Sequence, residues 1–250
     1  MRNTLTLLAL AAAFTLSPMH TFAAGELPSY TVNRTTVTMT VDGKLTEADW
    51  ANAPEITLVN TVTGDPVALK STVKALWDDK FFYVGFTFED PDAWATYLKD
   101  EDPLWEQEVA EVFLDPEGKG HSYYEYEINP VGKKVDLFVL NRGPKYNGFY
   151  KIWKEWDFST VMKRVVVVDG EGTARGNSDT SWTVELAFPF EEMWTAPNIP
   201  PQDGDMWRVN FYRIEHPTAN AKDDWYAAWN PTISPSFHTP WQFGKVIFKK

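Results

Sequence analysis

Acidic side chains share one face of two neighbouring predicted strands. Residues 109–114 and 123–129 are predicted strands, and because successive side chains of a strand point to opposite faces, the polar side chains of each strand lie on one side. The polar set consists of Glu111, Glu125, Glu127 and Asn129. An indole, Trp105, stands just before the first strand. Carboxylates and an amide beside an indole can hydrogen-bond a ligand rich in hydroxyl groups while its apolar face stacks on the ring.

Three interpretations of this face remain open at the level of sequence. It is a solvated surface, since polar residues opposite an apolar face are usual in antiparallel sheets. Alternatively it binds sugars, or it is a glycosidase pair in which Glu111 works with Glu125 or Glu127. Opposite residues of adjacent strands lie only about 5 Å apart on an open face, without the enclosing cleft of a glycosidase, which argues against the third.

The elements that must position these residues are predicted to be short strands. Pro and Gly are spread along the chain and period-two alternation recurs, which is typical of a β-sandwich. The turn residues 78–80 make residues 70–89 a predicted β-hairpin. A Gly-rich turn at 117–120 joins the two acidic strands, so these should pair. Further strands are predicted at residues 36–41, 135–140, 161–168, 181–188, 207–215 and 242–248.

Helical signal is scarce. A capping-box pattern from Thr46 to Asp49 predicts one helical turn through Asn52, and residues 190–194 predict another. No alternation of strands with long helices exists, so a doubly wound parallel sheet is not expected. The predicted fold class is all-β: an antiparallel β-sandwich, Ig-like or jelly-roll-like, of about ten strands with one or two short helices. We expect a single domain over residues 24–250.

Composition excludes several classes of function. The chain of 250 residues carries 35 acidic against 23 basic side chains, a net charge of −12, which argues against nucleic acid and anionic membranes as partners. No Cys is present, so disulfides, thiolate nucleophiles and Cys-based metal sites are excluded. The 12 Trp are more than a core needs. Those predicted to lie in the core are Trp50, Trp77, Trp182 and Trp207.

The first 23 residues resemble an export signal. Arg2 precedes an apolar stretch over residues 5–16, and Thr21-Phe22-Ala23 is a small-x-small cleavage site. The apolar stretch is shorter than the roughly 20 residues that span a bilayer. We therefore expect a signal peptide over residues 1–23, a secreted or periplasmic protein, and no membrane insertion after its removal.

No metal or haem pattern is specific. No catalytic zinc motif is present among the histidines. Acidic runs at residues 89–92, 78–79 and 115–117 could ligate a hard cation through oxygen, although loop acids are usually solvated. A haem site would need an axial pair such as His121, His216 or His238 with Met206 or Met162, and no spacing supports it. We expect no required cofactor, with a structural calcium ion as the one candidate.

Five segments, in chain order, resemble the signatures of carbohydrate-binding family nine-like domains, which are related to DOMON domains. They are VDGKL at 41–45, ALWDD at 75–79, PLWEQE at 103–108, YEYEINP at 124–130 and FHTP at 237–240. The resemblance covers nearly all of the chain after residue 23. It implies an antiparallel β-sandwich that binds glycan chain ends or short sugars, often beside structural calcium, in proteins that assist polysaccharide breakdown or uptake.

The resemblance also implies a set of binding residues. Trp105 matches the first of two Trp that sandwich the sugar in xylanase-borne members, Glu111 matches a sugar-binding carboxylate, and Asn129 matches a strand amide. Phe237 stands near the position of the second Trp, and Glu127 stands where those members carry Arg. The predicted carbohydrate-binding residues are Trp105, Glu111, Glu127, Asn129, Arg213, Phe237 and His238. Arg213 is included as an alternative guanidinium, and pairing with Glu215 is its structural alternative.

Overall fold

A computed structural model describes residues 26–141, 149–154 and 156–250 of the chain. The predicted signal peptide, residues 1–23, lies outside the described residues. Within the described part, no helix is long and apolar enough to cross a membrane.

Nearly all regular structure in the described residues is β. The strands are β1 (Ser29–Arg34), β2 (Ile56–Thr57), β3 (Val59–Asn60), β4 (Ser71–Trp77), β5 (Phe81–Glu89), β6 (Val109–Asp115), β7 (Ser122–Ile128), β8 (Lys134–Asn141), β9 (Phe149–Trp153), β10 (Lys163–Gly170), β11 (Asp179–Pro189), β12 (Met206–Glu215), β13 (Trp225–Ala228) and β14 (Gly244–Lys249). One α-helix, α1 (Ala48–Asn52), and single 3-10 turns at Leu104–Glu106, Phe190–Glu192 and Pro240–Gln242 complete the set.

The strands form two layers joined by β1. The first layer runs β10-β11-β5-β4, with β2 beside β4, and the second runs β14-β12-β6-β7-β8-β9, with β13 beside β12. Strand β1 pairs parallel with both β4 and β14, whereas the other strand ladders described are antiparallel. The all-β sandwich is therefore confirmed, with more strands than predicted because several are only two to four residues long.

The inner faces of the two layers enclose the main core. Phe86 of β5 contacts Phe211 of β12 edge to face with ring centroids 5.9 Å apart, and Tyr126 of β7 contacts Phe188 of β11 at 5.4 Å. Such aromatic pairs add to the free energy gained from burying apolar area. The four Trp predicted to be core residues are all buried.

The predicted hairpin is confirmed by β4 and β5, which pair from Ser71–Phe88 to Trp77–Phe82. The Asp78 carboxylate accepts hydrogen bonds from the backbone N–H groups of Lys80 and Phe81, both at 2.7 Å, and so closes the turn. The predicted turn chemistry therefore works as expected.

The prediction of a strand at residues 36–41 is wrong. Strand β1 ends at Arg34, and the following segment forms no ladder. The hydroxyl of Thr35 and the backbone N–H of Thr36 donate to the Asp49 carboxylate instead. That use of Asp49 also leaves the predicted capping box unformed, since α1 begins at Ala48 without a side-chain cap. Alternation was present in this segment, but a partner strand was not.

Candidate functional site

The floor of the candidate site is the outer face of β6 and β7. Glu111 lies opposite Glu127 across the ladder, and Phe113 lies opposite Glu125. The turn between the strands is held by Asp115, whose carboxylate accepts the backbone N–H groups of Gly118 at 2.9 Å and Gly120 at 2.6 Å. The predicted pairing of the two acidic strands is therefore confirmed, and it places three carboxyl groups on one face.

A cavity of about 540 Å³ lies on this face. The carboxyl groups of Glu111, Glu125 and Glu127 are buried at its bottom. Residues of strands β8, β9, β12 and β13 and of two loops form its walls. The lining residues are Glu101, Trp105, Glu111, Phe113, Glu125, Glu127, Val135, Leu137, Ile152, Lys154, Ile214, Tyr226, Pro235, Ser236, Phe237 and His238. The structure thus brings together five of the seven predicted binding residues.

Trp105 lies in the 3-10 turn that leads into β6. Its neighbour Leu104 is fully buried and anchors the turn, while the indole of Trp105 remains 44% exposed. Just after this turn, the side-chain oxygen of Gln107 accepts a hydrogen bond from the backbone N–H of Thr96 at 2.8 Å. An exposed indole on a fixed turn at the edge of a cavity is a platform for an apolar ligand surface.

Phe237 forms a second aromatic wall. Its ring stacks on Tyr212 of β12 with centroids 4.2 Å apart and planes within 4°, and Tyr226 meets it edge to face. The Tyr212 hydroxyl donates to the Phe237 backbone carbonyl at 3.1 Å. Two contacts to one buried tyrosine therefore hold the loop residue in place.

His238 is fixed between the wall and the floor. Its Nδ1 lies 2.7 Å from the Tyr123 hydroxyl and 3.6 Å from Oε2 of Glu125. Burial lowers the pKa of His238 to about 4. The imidazole is therefore neutral at pH 7, so its approach to Glu125 is a polar contact and not an ion pair.

The carboxyl groups of the floor are strongly perturbed. Burial raises the pKa of Glu125 to about 8. Burial and the neighbouring carboxylates raise the pKa values of Glu111 and Glu127 well above the usual range. Because like charges in a desolvated site disfavour ionisation, the floor holds protons more tightly than exposed carboxyl groups do. A carboxyl group that keeps its proton can both donate and accept a hydrogen bond.

Asn129 does not line the cavity. It follows the end of β7, where its amide donates to the Tyr97 carbonyl at 2.9 Å and its Oδ1 accepts the backbone N–H of Lys133 at 2.8 Å. Both ends of the amide are used to hold a turn and a neighbouring loop. Asn129 has the same place in the two-residue alternation as Glu127, but β7 ends at Ile128, one residue before it.

Arg213 lies on the opposite face of the layer. In the ladder it is paired with Ala110, whereas Tyr212 is paired with Glu111. Its guanidinium is 0% exposed and donates to Asp90 at 2.8 Å and to Glu215. Arg213 therefore pairs with Glu215, which is the structural alternative considered for it, and it does not line the cavity.

The family assignment follows from a match over most of the chain. Residues 41–250 match the model of the carbohydrate family 9 binding domain-like family. The chain belongs to this family. The match covers every strand from β2 to β14 and all of the residues that line the cavity.

Relatives of known sequence or structure span most of the chain. An Arthroderma benhamiae protein named "Extracellular protein" is 25% identical over 199 residues, which is 78% of this chain and 79% of its own. A candidate carbohydrate-binding protein from Bacteroides uniformis superposes with a TM-score of 0.71 at 19% identity, over 89% of this chain and 100% of its own. A carbohydrate binding module family 9 from Caldicellulosiruptor kristjanssonii, solved with cellotriose, superposes with a TM-score of 0.60 at 14% identity, over 88% and 93%.

Of the acidic runs considered for a cation, one joins a cluster. Asp78 and Asp115 cap their own turns. Asp90 lies with Glu108 and Glu215, and oxygens of the three carboxylates lie within 4.8 Å of one another. Hard oxygen donors of this kind suit Ca²⁺.

Several cavity residues were not among the predicted binding residues. Glu125 has the parity of Glu127 and belongs to the predicted acidic face, although it is not among the seven predicted binding residues. Tyr226 is placed by the pairing of β13 with β12, which sets it beside Ile214. Ile152 is placed by the pairing of β9 with β8. The signal for Glu125 was present in the alternation, whereas the other two depend on strand order.

Proposed function

We propose that the cavity binds carbohydrate without catalysing a reaction on it. The observation that carries this proposal is the arrangement of two aromatic rings, Trp105 and Phe237, on one cavity whose floor consists of buried carboxyl groups. Sugars combine apolar C–H faces with many hydroxyl groups, so they need both kinds of surface. Family 9 modules of similar fold were solved with cellotriose and with glucose, which supports a sugar as the ligand class.

Calorimetric titration with cellotriose, xylotriose and glucose tests the proposal. We expect dissociation constants in the micromolar to millimolar range, because a single small cavity offers limited contact. Trp105→Ala should weaken binding by at least about tenfold, since the stacking platform is lost. The matched control is Trp194→Ala, because Trp194 is 53% exposed and does not line the cavity. Absence of heat with every sugar tested, or unchanged binding in Trp105→Ala, contradicts the proposed site.

The same proteins separate binding from hydrolysis. Glu111 and Glu127 lie directly opposite each other, the arrangement on which the hydrolase alternative depends. Reducing-end release from xylan or cellulose is measured for the wild type and Glu111→Gln. Binding without release supports a binding protein. Release that disappears in Glu111→Gln replaces the proposal with a glycoside hydrolase.

We also propose the cluster of Asp90, Glu108 and Glu215 as the place of a structural calcium ion. Three carboxyl groups share a single guanidinium there, and Glu108 and Glu215 are close enough to hydrogen-bond each other, so the carboxyl groups outnumber the cations beside them. The test compares the melting temperature in excess EDTA and in excess Ca²⁺. A rise with Ca²⁺ that Glu108→Gln removes supports the site, and an unchanged melting temperature refutes it.

Export completes the proposal. Residues 1–23 act as a signal peptide, and residues 24–250 form one domain that works outside the cytoplasm. The relative named "Extracellular protein" supports export. Expression with the native leader, followed by intact mass measurement of the protein in periplasm and medium, tests it. Cleavage after Ala23 is expected, and a full-length protein retained in the cytoplasm contradicts it.

A further inference from the structure

We propose that the cavity prefers a sugar that carries a free amino group, such as a glucosamine oligomer, over a neutral sugar of the same size. This inference rests on the proposed carbohydrate binding and names its substrate class. It follows from the charge, the burial and the spacing of the acidic groups that line the cavity.

Charge is the first observation. Four Glu line the cavity, against one lysine, Lys154, and one histidine, His238. Glu101 is at the rim and pairs with Lys134 at 2.9 Å. Among the described residues, no lysine or arginine forms an ion pair with Glu111, Glu125 or Glu127. These acids therefore hold protons more tightly than exposed carboxyl groups do, and an ammonium group of the ligand would favour their ionised form.

Burial is the second observation. The side chains of Glu111, Glu125 and Glu127 are at most 4% exposed. Oε2 of Glu125 and Oε2 of Glu127 are buried, and these two carboxyl groups hydrogen-bond each other, which requires a proton on one of them. An ammonium group of a ligand in the cavity offers three donors to the accessible oxygens of the floor. The floor is therefore a set of buried acids that share protons with one another.

Spacing distinguishes an organic cation from a metal ion. Among the described residues, acidic oxygens gathered within 4.8 Å of one another occur in the cluster of Asp90, Glu108 and Glu215 on the other face. The carboxyl groups of the cavity floor are not gathered in this way. Spread over the floor of a 540 Å³ cavity, they suit a ring with several polar substituents better than a single ion.

The aromatic walls fit the same ligand. The indole of Trp105 and the ring of Phe237 line the cavity, and a cation close to the face of such a ring is attracted by the ring quadrupole. An ammonium-bearing sugar can therefore stack its C–H face on the indole and direct its amino group toward the acidic floor.

Titration calorimetry with three matched oligomers tests the preference. The probes are the glucosamine trimer, the N-acetylglucosamine trimer and cellotriose, at pH 7 and at low and high NaCl. We expect the glucosamine trimer to bind at least about tenfold more tightly than cellotriose, with the advantage reduced by salt. The acetylated trimer, which has no charge, should behave like cellotriose.

Variants assign the effect to the floor. Glu127→Gln should remove most of the advantage of the glucosamine trimer over cellotriose, measured as the ratio of their two dissociation constants. Glu117→Gln, an acid in the β6–β7 turn outside the cavity, is the control and should change neither. A circular dichroism melt confirms that each variant is folded.

The outcomes separate this inference from the proposed function. Equal binding of the glucosamine trimer and cellotriose, or an advantage that survives Glu127→Gln, overturns the preference and leaves carbohydrate binding standing. Binding of none of the three oligomers overturns both. Tighter binding of the amino sugar that depends on Glu127 supports both.

Discussion

Groups of three carboxyl groups lie on both sides of the second layer of the sandwich, one of them including Asp90 from the end of β5 in the first layer, and the two groups differ in what faces them. On the inner side, Asp90 and Glu215 accept hydrogen bonds from the buried guanidinium of Arg213, beside Glu108. On the outer side, the floor carboxyl groups face a cavity whose walls are mainly apolar and aromatic. Among the described residues, the inner group has one cation of the protein beside it, whereas the outer group forms no ion pair with a lysine or arginine.

The difference arises because successive side chains of one strand point to opposite faces of the sheet. In β12, Arg213 points to the inner face and its neighbours Tyr212 and Ile214 point to the outer face. A shift of one residue would exchange the guanidinium for an aromatic ring. Residue type alone therefore does not separate a structural carboxyl cluster from a binding one, because the register decides which cluster receives the cation.

The largest expected effect comes from breaking the inner group. Arg213→Met removes a buried cation and leaves Asp90 and Glu215 without their partner. We expect the free energy of unfolding to fall by about 3–5 kcal/mol. Urea denaturation in the presence of EDTA measures it.

The control is Arg34→Met, which removes the partner of Asp79 in an ion pair whose side chains are 36% and 67% exposed. Its expected cost is about 0–1 kcal/mol. Equal costs for the two variants would show that the inner group does not depend on its guanidinium.

The next effect sharpens the description of the outer group as acids whose pKa values are raised. The pKa of Glu125 is raised to about 8 in the folded protein, so between its unfolded value and pH 8 the native state binds the extra proton and stability falls as pH rises. We expect Glu125→Gln to flatten this fall by on the order of 2 kcal/mol between pH 5 and pH 8. Urea midpoints at four pH values measure it.

Glu117→Gln is again the matched control, because Glu117 lies outside the cavity. Its stability profile should run parallel to that of the wild type. Parallel profiles for Glu125→Gln and the wild type would mean that Glu125 is ionised in the folded protein at neutral pH.

A smaller effect tests whether the outer group can be given the cation that the inner group has. Glu127→Arg places a guanidinium beside Glu111 and Glu125. We expect the affinity ratio of glucosamine trimer to cellotriose to fall by at least about tenfold, because the ligand's cation then meets one from the protein. Calorimetry with the two trimers measures the ratio, and an unchanged ratio would contradict an electrostatic origin.

The smallest effect concerns the wall. Phe237→Trp enlarges the second platform and adds an N–H donor, so cellotriose should bind about threefold more tightly. The exposed control Trp194→Phe should leave the affinity unchanged. Weaker binding in Phe237→Trp would show that stacking on Tyr212 leaves no room for an indole.

The sandwich and the acidic face could be predicted because both depend on local alternation. Period two placed Glu111 and Glu127 on one face, and the Gly-rich turn implied their pairing, as the ladder confirms. Arg213 could not be placed, because its face depends on how β12 aligns with β6. Asn129 could not be placed either, since its role depends on where β7 ends.

Strand order explains the remaining gaps. β1 pairs with β4 and β14, strands that lie far from it in sequence, and no local pattern encodes such contacts. The cavity walls also depend on strand order, because the pairing of β9 and β13 with their neighbours places Ile152 and Tyr226 there. Residues 36–41 show the opposite case, in which local alternation existed without a partner strand.

The parallel pairing of β1 with β14 has a mechanical consequence. The two strands run in the same direction over register pairs from Ser29–Lys245 to Asn33–Lys249, so the start of β1 and the end of β14 lie at opposite ends of one ladder. A force that pulls these two ends apart loads all the ladder hydrogen bonds together in shear instead of opening them one after another. If the protein were anchored at one of these two ends and pulled at the other, the pairing of β1 with β14 would resist unfolding.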